Sequence, residues 1–332
     1  MVSRPTTMRA VRFHSTGDTS VLRVEDEVPV PDFKDNEVLV QVKYAGVNFV
    51  DTYQRSGLYP IKLPAIAGRE GAGTIVGVGE NVPSSSALHV GDQVALFAQG
   101  TMAQYVAAPA NSIMKLPSTV STRQGAAIML QGLTAWSLVK DAHEVQEGQW
   151  ILVQAAAGGT GGLLTQMCKH LGATVIGTVS TTEKAATAKD HGADHVIVYK
   201  DQDVLSEVLR LTDGKGCHAV LSGVGKSTFA NDLAATRRKG TFVSYGNSSG
   251  AVDEFRILDL SKKNVKLVRP TLANYITERN EFVERSQQLL ELLVNKKVSV
   301  PIGGEYTLEE VRKAQDDLTG QRTTGKLIVK VD

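Results

Sequence analysis

Hydrophobic and polar positions divide the chain into three stretches with different rhythms. As far as about Met129, short apolar runs carry strand character: Met8–Phe13, Val21–Val24, Glu37–Tyr44 with alternating Val38, Val40 and Val42, Gly73–Val78, Asp92–Phe97 and Ala103–Ala107. Gly and Pro punctuate these runs, which predicts an irregular β-rich unit. One helix is expected within it, Phe49–Ser56 ending at Gly57. Ser121-x-x-Gln124 reads as a capping box that opens the helix leading out.

From Gln149 onward, strand runs alternate with helical ones. The predicted strands are Trp150–Gln154, Thr174–Thr178, His195–Val198, His218–Leu221, Thr241–Tyr245 and Val265–Val268. Such alternation implies a parallel sheet covered on both faces, and six strands complete a doubly wound dinucleotide fold. After Pro270 come a long helix near Glu278–Asn295, a capped helix beginning Thr307-x-x-Glu310 and a last strand, Lys326–Lys330. This tail is too short for a core of its own and is expected to return to the first unit. The expected class is α/β with two domains, 1–128 with 271–332 and 129–270, and an active site in the cleft between them.

The stretch Ile151–Gly162, ILVQAAAGGTGG, carries the first chemistry. A strand running into glycines and then into an amphipathic segment, Leu163–Leu171, leaves backbone N–H groups and the positive end of a helix dipole facing the turn, which suits a pyrophosphate. Ala157, Gly158, Gly159 and Gly161 are the candidate cradle. The spacing Ala156-x-Gly158-x-x-Gly161 replaces the first glycine of the dinucleotide motif with alanine. A bland reading stands beside this one: glycines also occur where a helix merely packs close to a strand.

About 20 residues further on, an NAD site places an acidic residue on the ribose. Here that position holds Ser180, with Lys184 four residues later. A missing carboxylate and a nearby cation favour the 2′-phosphate of NADPH, although Lys184 also fits a solvated helix lysine.

Composition changes little. The chain has 332 residues, 42% of them apolar and 21% charged, with a formal net charge of +1. That balance gives no global reason for a nucleic acid, anionic membrane or polyacidic partner. Its two cysteines have no paired spacing. Cys168 belongs with Leu164 and Leu171 on the inner face of a helix, and Cys217 precedes a strand. Residues 1–7 lack the apolar core of a signal peptide and read as a loose tail, and no stretch approaches the ~18 apolar residues of a membrane span. A soluble cytoplasmic protein is expected. The run Arg237-Arg238-Lys239 reads as a solvated helix end.

Five separated motifs then make a resemblance specific: NFVDTYQRSGLYP at Asn48–Pro60, GREGAG at Gly68–Gly73, AAAGGTG at Ala155–Gly161, SYGNSSG at Ser244–Gly250 and VRP at Val268–Pro270. Together they resemble the zinc-free, zeta-crystallin-like quinone oxidoreductases of the medium-chain dehydrogenase/reductase superfamily, over nearly the whole chain. The resemblance implies a GroES-like catalytic domain beside a Rossmann domain with a six-stranded sheet. It also implies NADPH as cofactor, hydride or single-electron transfer to a quinone, and a homodimer formed through the sixth Rossmann strand near Val265–Val268. Zinc-dependent relatives carry cysteine at the position of Asn48 and histidine at that of Arg69, so no metal site is expected. A quinone or activated enone accepts hydride without a Lewis acid, provided it is held at attack distance.

The resemblance further implies that Asn48 and Tyr53 line the nicotinamide and substrate pocket, with Tyr59 close by; these are the catalytic candidates. By helical spacing, positions 48, 51, 52, 55 and 59 share a face and Tyr53 lies about 100° away. Both tyrosines also fit buried core positions. Thr134 is expected near the nicotinamide, Tyr199 with Lys184 at the adenosine phosphate, and Tyr245, Gly246, Asn247 and Ser248 in the loop after the fifth strand. Arg322 is either a cofactor contact or a surface arginine. Enone, alkenal or enoyl-thioester reduction is the alternative chemistry, and AU-rich RNA binding a secondary role in a different class.

Overall fold

The computed structural model describes residues 5–331. Residues 1–4 of the expected loose tail lie outside them, whereas Thr7 already pairs in the first strand. The described residues form two compact units, one within 5–130, 278–286 and 300–331, the other of residues 131–277 and 287–299. No helix among the described residues is long and apolar enough to cross a membrane.

The first unit begins with β1 (Thr7–Phe13), β2 (Arg23–Pro29), β3 (Glu37–Val47), the helix α1 (Phe49–Ser56), β4 (Ala65–Ile66) and β5 (Glu70–Val78). It continues through β6 (Gln93–Phe97), β7 (Tyr105–Pro109) and β8 (Ile113–Lys115), and a second helix, α2 (Thr122–Ser137), follows. Val21, read from sequence as a strand start, lies instead in a short 3₁₀ turn at Thr19–Val21, where the Asp18 carboxylate accepts from the Ser20 N–H. That cap satisfies the turn locally and delays the strand to Arg23.

Alternation in β3 places Val38, Val40 and Val42 in the main core of this unit, while Leu39 joins a second, smaller core on the opposite face with Met8, Val28 and Val30. A strand covered on both sides cannot slip by one residue without burying its polar positions. The capping box is present: Gln124 Oε1 accepts from the Ser121 N–H at 3.0 Å, and Ser121 Oγ accepts from the Gln124 N–H at 3.3 Å.

The second unit holds β9 (Trp150–Val153), α3 (Gly159–His170), β10 (Thr174–Val179), α4 (Thr182–Asp190), β11 (His195–Val198), α5 (Val204–Leu211), β12 (Cys217–Ser222), α6 (Phe229–Ala235), β13 (Thr236–Ser244) and β14 (Lys266–Val268). The six strands lie in the order β11-β10-β9-β12-β13-β14 with every pairing parallel. This is the doubly wound dinucleotide order, whose direction reverses between β9 and β12.

Arg237, Arg238 and Lys239 are not a helix end. α6 stops at Ala235, Thr236 pairs with Cys217, and the basic run opens β13. Lys239 takes a positive φ of 63° at an irregularity where the strand is bent, and the side chain of Arg237 meets His218 Nε2. A cluster of cations read as a dipole complement thus serves a strand start.

The tail adds β15 (Ile302–Tyr306) and β16 (Lys326–Lys330) to the first unit's larger sheet, in the order β15-β16-β3-β5-β6-β8 with β7 also on β3. β16 runs antiparallel to β3, with Leu327 opposite Val47. Lys326 is thereby delivered next to the end of β3, immediately before α1.

Candidate functional site

In the second unit, β9 runs into a turn at residues 154–157 and then into α3, whose N-cap is Gly158. Gly158 offers no capping side chain, so the orphan N–H groups of the first helical turn remain for a ligand. The glycines divide by role. A Cβ on Gly159 would come within 2.1 Å of Gln131 Oε1, on Gly161 within 2.2 Å of Ala155 O, and on Gly162 within 2.5 Å of the His191 ring. Gly161 and Gly162 are demanded by packing, against backbone and a buried ring, whereas at Gly159 the obstacle is the movable end of the Gln131 side chain. On Gly158 the nearest atom would be Ala155 O at 3.2 Å, so this position is comparatively open.

The alanine in place of the first motif glycine has its own compensation. Ala156 is wholly buried, and its methyl lies where a side chain at Gly177 on β10 would come, 2.7 Å from that added Cβ. The glycine requirement has moved to the neighbouring strand. Ala155 holds the turn with φ +55°. Its N–H donates to Thr178 Oγ1 at 3.2 Å, and that hydroxyl donates to Gln154 Oε1 at 2.5 Å. Gln154 Nε2 in turn donates to the buried Asp232 at 2.6 Å. Burial pushes the Asp232 carboxyl above the ordinary range, against the hydrogen bonds from Thr228, Gln154 and Ser222.

Ser180 is buried just past the end of β10, and Lys184 stands in the first turn of α4, where its N–H donates to the N-cap Thr181. Burial first, and then the charge of Lys200, hold the Lys184 ammonium below the usual lysine range. The Tyr199 N–H donates to Val179 O at 3.0 Å, which sets Tyr199 and Lys200 beside the same strand end. Ser180, two lysines and a helix N-terminus stand together at the strand end as a candidate anion site, with Glu183 in the same helical turn on the N-cap Thr181. This donor set fits the 2′-phosphate of NADPH, and the glycine turn fits its pyrophosphate. Lys200 was missed in the sequence, because only a strand boundary known to the residue shows that it faces Lys184.

Thr134 is half-buried in α2, Ala157 is buried in the turn, and Tyr199 is exposed. The loop after β13 closes tightly over the start of the loop after β12. Ser248 N–H donates to Gly223 O at 3.1 Å, and Gly246 and Tyr245 both pack on Gly223 so closely that a Cβ there would meet the Tyr245 ring at 2.7 Å. Asn247 is half-buried and Ser248 exposed in that loop. Arg322, in the first unit, is exposed and lies 3.5 Å from Asp317.

The first unit gathers the other candidates. α1 begins with a capping box in which Asp51 Oδ2 accepts from the Asn48 N–H at 2.8 Å, and ends at Gly57 with φ +86°. Arg55 anchors the helix by donating to Gln315 Oε1 at 2.7 Å and Gly17 O at 2.5 Å. The helical spacing misplaced the tyrosines. Because the helix ends at Ser56, Tyr59 lies beyond it, and the chain folds back so that its N–H donates to Tyr53 O at 3.0 Å. The two rings sit 5.1 Å apart. Burial covers Asp51, Thr52, Tyr53, Gln54 and Arg55 alike.

Asn48 sits in a buried cluster of charges. Its Nδ2 donates to Glu70 Oε1 at 2.7 Å, and its Oδ1 accepts from Lys326 Nζ at 2.8 Å. Burial pushes the Asp51 carboxyl up to about 7, against the Asn48 N–H and the charge of Lys326. Burial also lowers Arg69, whose guanidinium lies 5.0 Å from the Phe97 ring centre. Asp51 Oδ1 and Arg69 Nε have no hydrogen-bond partner. Zinc does not fit this donor set: an amide engaged at both ends, a guanidinium and an ammonium replace ligands, and zinc needs three or four convergent N, S or O donors. Among the described residues, no group of three or more His, Cys, Asp or Glu side chains could hold a metal ion. Glu70 and Lys326 were overlooked in the sequence, although Glu70 lies inside the GREGAG motif. Both cysteines are buried, and burial pushes each thiol up to about 12, which leaves them inert at neutral pH.

Residues 34–118 match the alcohol dehydrogenase GroES-like domain family, and residues 159–293 match the zinc-binding dehydrogenase family. A probable quinone oxidoreductase of Schizosaccharomyces pombe is 37% identical over 321 residues, covering 96% of each chain. The crystal structure of a quinone oxidoreductase from Pseudomonas syringae superposes with a TM-score of 0.94 at 39% identity, covering 98% of this chain and all of that one. The Escherichia coli quinone oxidoreductase complexed with NADPH superposes at 0.92 with 35% identity, covering 97% and 99%.

Proposed function

The chain belongs to the quinone oxidoreductases of the medium-chain dehydrogenase/reductase superfamily, and from that premise we propose that it reduces a quinone with NADPH and without a metal ion. The observation that carries the reading is the pair of lysines with Ser180 at the end of β10, an anion site on a fold whose relatives bind NADPH. When bound, NADPH supplies the hydride. Gly158 and the first turn of α3 would hold its pyrophosphate, with Gly159 and Gly161 allowing the turn to close. Ser180, Lys184 and Tyr199 would hold the adenosine phosphate end, and Thr134 and the loop Tyr245–Ser248 would complete the nicotinamide side. Asn48, Tyr53 and Tyr59 would orient the quinone, and water would provide the one proton that, with the hydride, completes the hydroquinone.

Stopped-flow oxidation of NADPH across a panel of ortho- and para-quinones, with alkenals and enoyl thioesters beside them, tests the reading. Turnover of quinones is expected. Oxidation by alkenals or thioesters alone would replace the quinone with an activated alkene, and no oxidation by any acceptor would sink the proposal. Within the same assay, Lys184→Ala is expected to raise the KM for NADPH by at least about tenfold, since an ion pair at ~4 Å and an effective dielectric near 20 exceeds the ~1.4 kcal/mol which that factor requires. The KM for NADH should stay within about twofold. Equal effects on both cofactors would refute the assignment of Lys184 to the 2′-phosphate.

We also propose a homodimer paired through β14. That strand is an edge of the six-stranded sheet, and just ahead of it Ile257 and Leu258 are 75% and 68% exposed. Sedimentation velocity is expected to show a dimer for the wild type and a monomer for Ile257→Lys/Leu258→Lys. A monomeric wild type would remove this part of the proposal.

A further inference from the structure

The glycine turn carries one donor that the fold does not use. Of the peptide N–H groups at 155–158, three are engaged: Ala155 N–H donates to Thr178 Oγ1 at 3.2 Å, Ala156 N–H to Thr178 O at 2.9 Å and Gly158 N–H to Ala155 O at 2.9 Å. The N–H of Ala157 makes no hydrogen bond among the described residues, although Ala157 is only 4% exposed. Buried backbone donors are almost always paired, so one left over is kept for something from outside the chain.

The direction of that donor is set from the other side of its own peptide. Ala156 O lies 3.2 Å from Nδ1 of the buried His191, and a carbonyl can only accept, so Nδ1 carries the proton and donates. In a trans peptide the C=O and the following N–H point in opposite directions. With the Ala156 oxygen held on the imidazole, the Ala157 N–H is turned away from the ring. That ring has a place made for it on both sides. Gly162 lacks the Cβ that would stand 2.5 Å from Cε1 and 2.6 Å from Nδ1 of His191. At the end of α4, His191 N–H donates to Thr187 O at 3.0 Å, Gly192 turns with φ +98° and Ala193 N–H donates to Ala188 O at 3.0 Å. This left-handed helix ending fixes the backbone that carries the imidazole.

We infer that His191 is a positioning residue for the cofactor: by holding Ala156 O it aims the Ala157 N–H at the pyrophosphate of NADPH. This rests on the reading of the glycine turn as the pyrophosphate cradle. A pyrophosphate oxygen is charged and accepts, so a donor aimed in advance binds it with less to reorganise. A rotated peptide would present the Ala156 oxygen to that phosphate, a repulsion in place of a hydrogen bond. The holding group comes from the end of α4, 35 positions further along the chain.

Two ligands and three variants test this. NADPH carries the pyrophosphate, and adenosine 2′-monophosphate has the adenosine phosphate end without it. His191→Phe and His191→Leu remove the donor, whereas His191→Gln keeps an N–H. For either variant without the donor, calorimetry is expected to give an NADPH Kd raised about tenfold, the scale of one hydrogen bond to a charged group, with adenosine 2′-monophosphate within about twofold of the wild type. His191→Gln should bind NADPH within about threefold of the wild type, because its amide can still donate. In isotope-labelled wild type, the Ala157 amide resonance is expected to move on adding NADPH and to stay in place on adding adenosine 2′-monophosphate. That readout needs no substitution and covers variants that do not fold. Equal weakening of both ligands overturns the inference, as does wild-type NADPH affinity in folded His191→Phe or His191→Leu, the full loss in folded His191→Gln, or an Ala157 amide indifferent to NADPH. A wild type that does not bind NADPH refutes the cofactor reading itself, whereas NADPH binding with any of those outcomes refutes only the role of His191.

Discussion

Gly161→Ala is expected to destabilise the second unit and to abolish tight NADPH binding. Its new methyl would lie 2.2 Å from Ala155 O, 2.7 Å from Ala155 C and 3.0 Å from Gln154 O, all of them backbone atoms. The turn has no easy way to retreat. Ala155 already stands at φ +55°, its oxygen accepts from the Gly158 N–H at 2.9 Å, and its N–H is held by Thr178. Overpacking against fixed backbone costs roughly 1–3 kcal/mol or more, and relief would come by moving the helix N-terminus that is to hold the pyrophosphate. Gly158→Ala is the control, because its nearest neighbour would be at 3.2 Å. That variant should unfold within about 1 kcal/mol of the wild type and show its effect in NADPH affinity instead. Thermal unfolding and fluorescence titration read the two quantities separately. A Gly161→Ala protein with wild-type stability and affinity would refute the steric account.

Asp51→Asn is expected to stabilise the protein at pH 8 and to leave it unchanged near pH 4. The folded state holds this carboxyl up at about 7, through burial before any other cause, against an ordinary value of 3.8. Between those values the folded protein keeps a proton that the unfolded chain has released, so stability falls as pH rises. The contribution of the neutral acid is full below about pH 4, declines toward pH 7 and is gone above it. At ~1.36 kcal/mol per pH unit the span amounts to at most about 4 kcal/mol. Asparagine removes the titration and keeps an oxygen for the Asn48 N–H. Urea unfolding at pH 4, 6 and 8 should give a difference between variant and wild type that grows with pH. A constant offset would show that Asp51 ionisation is not the source.

Much of the architecture was legible in the sequence, for a local reason. The limits of α1, the Ser121–Gln124 box, the succession of six strand runs alternating with helices and the glycine turn all depend on neighbours within a few residues, and a pattern of that range is written in consecutive positions. Errors arose where a local rule met a distant partner. The basic run at Arg237–Lys239 has the chemistry of a helix end, yet pairing of Thr236 with Cys217 draws it into β13. Tyr53 and Tyr59 were separated by a helical period that Gly57 interrupts. The candidate site was legible as residue types but only in part as geometry: Asn48 and Lys184 could be named, while Glu70, Lys326 and Lys200 could not.

From residue order alone follow the three rhythms of the chain, the glycine turn with alanine at its first motif position, and the serine and lysine where an NAD site places an acid; the lack of zinc ligands at Asn48 and Arg69 follows from the resemblance to the family. These are matters of local conformation and of side-chain chemistry, which a linear chain states directly. Only the tertiary structure decided that the missing motif glycine reappears at Gly177. Only it showed that Lys200 stands with Lys184, and that a lysine near the C-terminus reaches Asn48 and Glu70. Each depends on strands brought together by burying apolar faces, and the sequence separation of such contacts, 256 residues for Lys326 and Glu70, carries no trace in the local pattern.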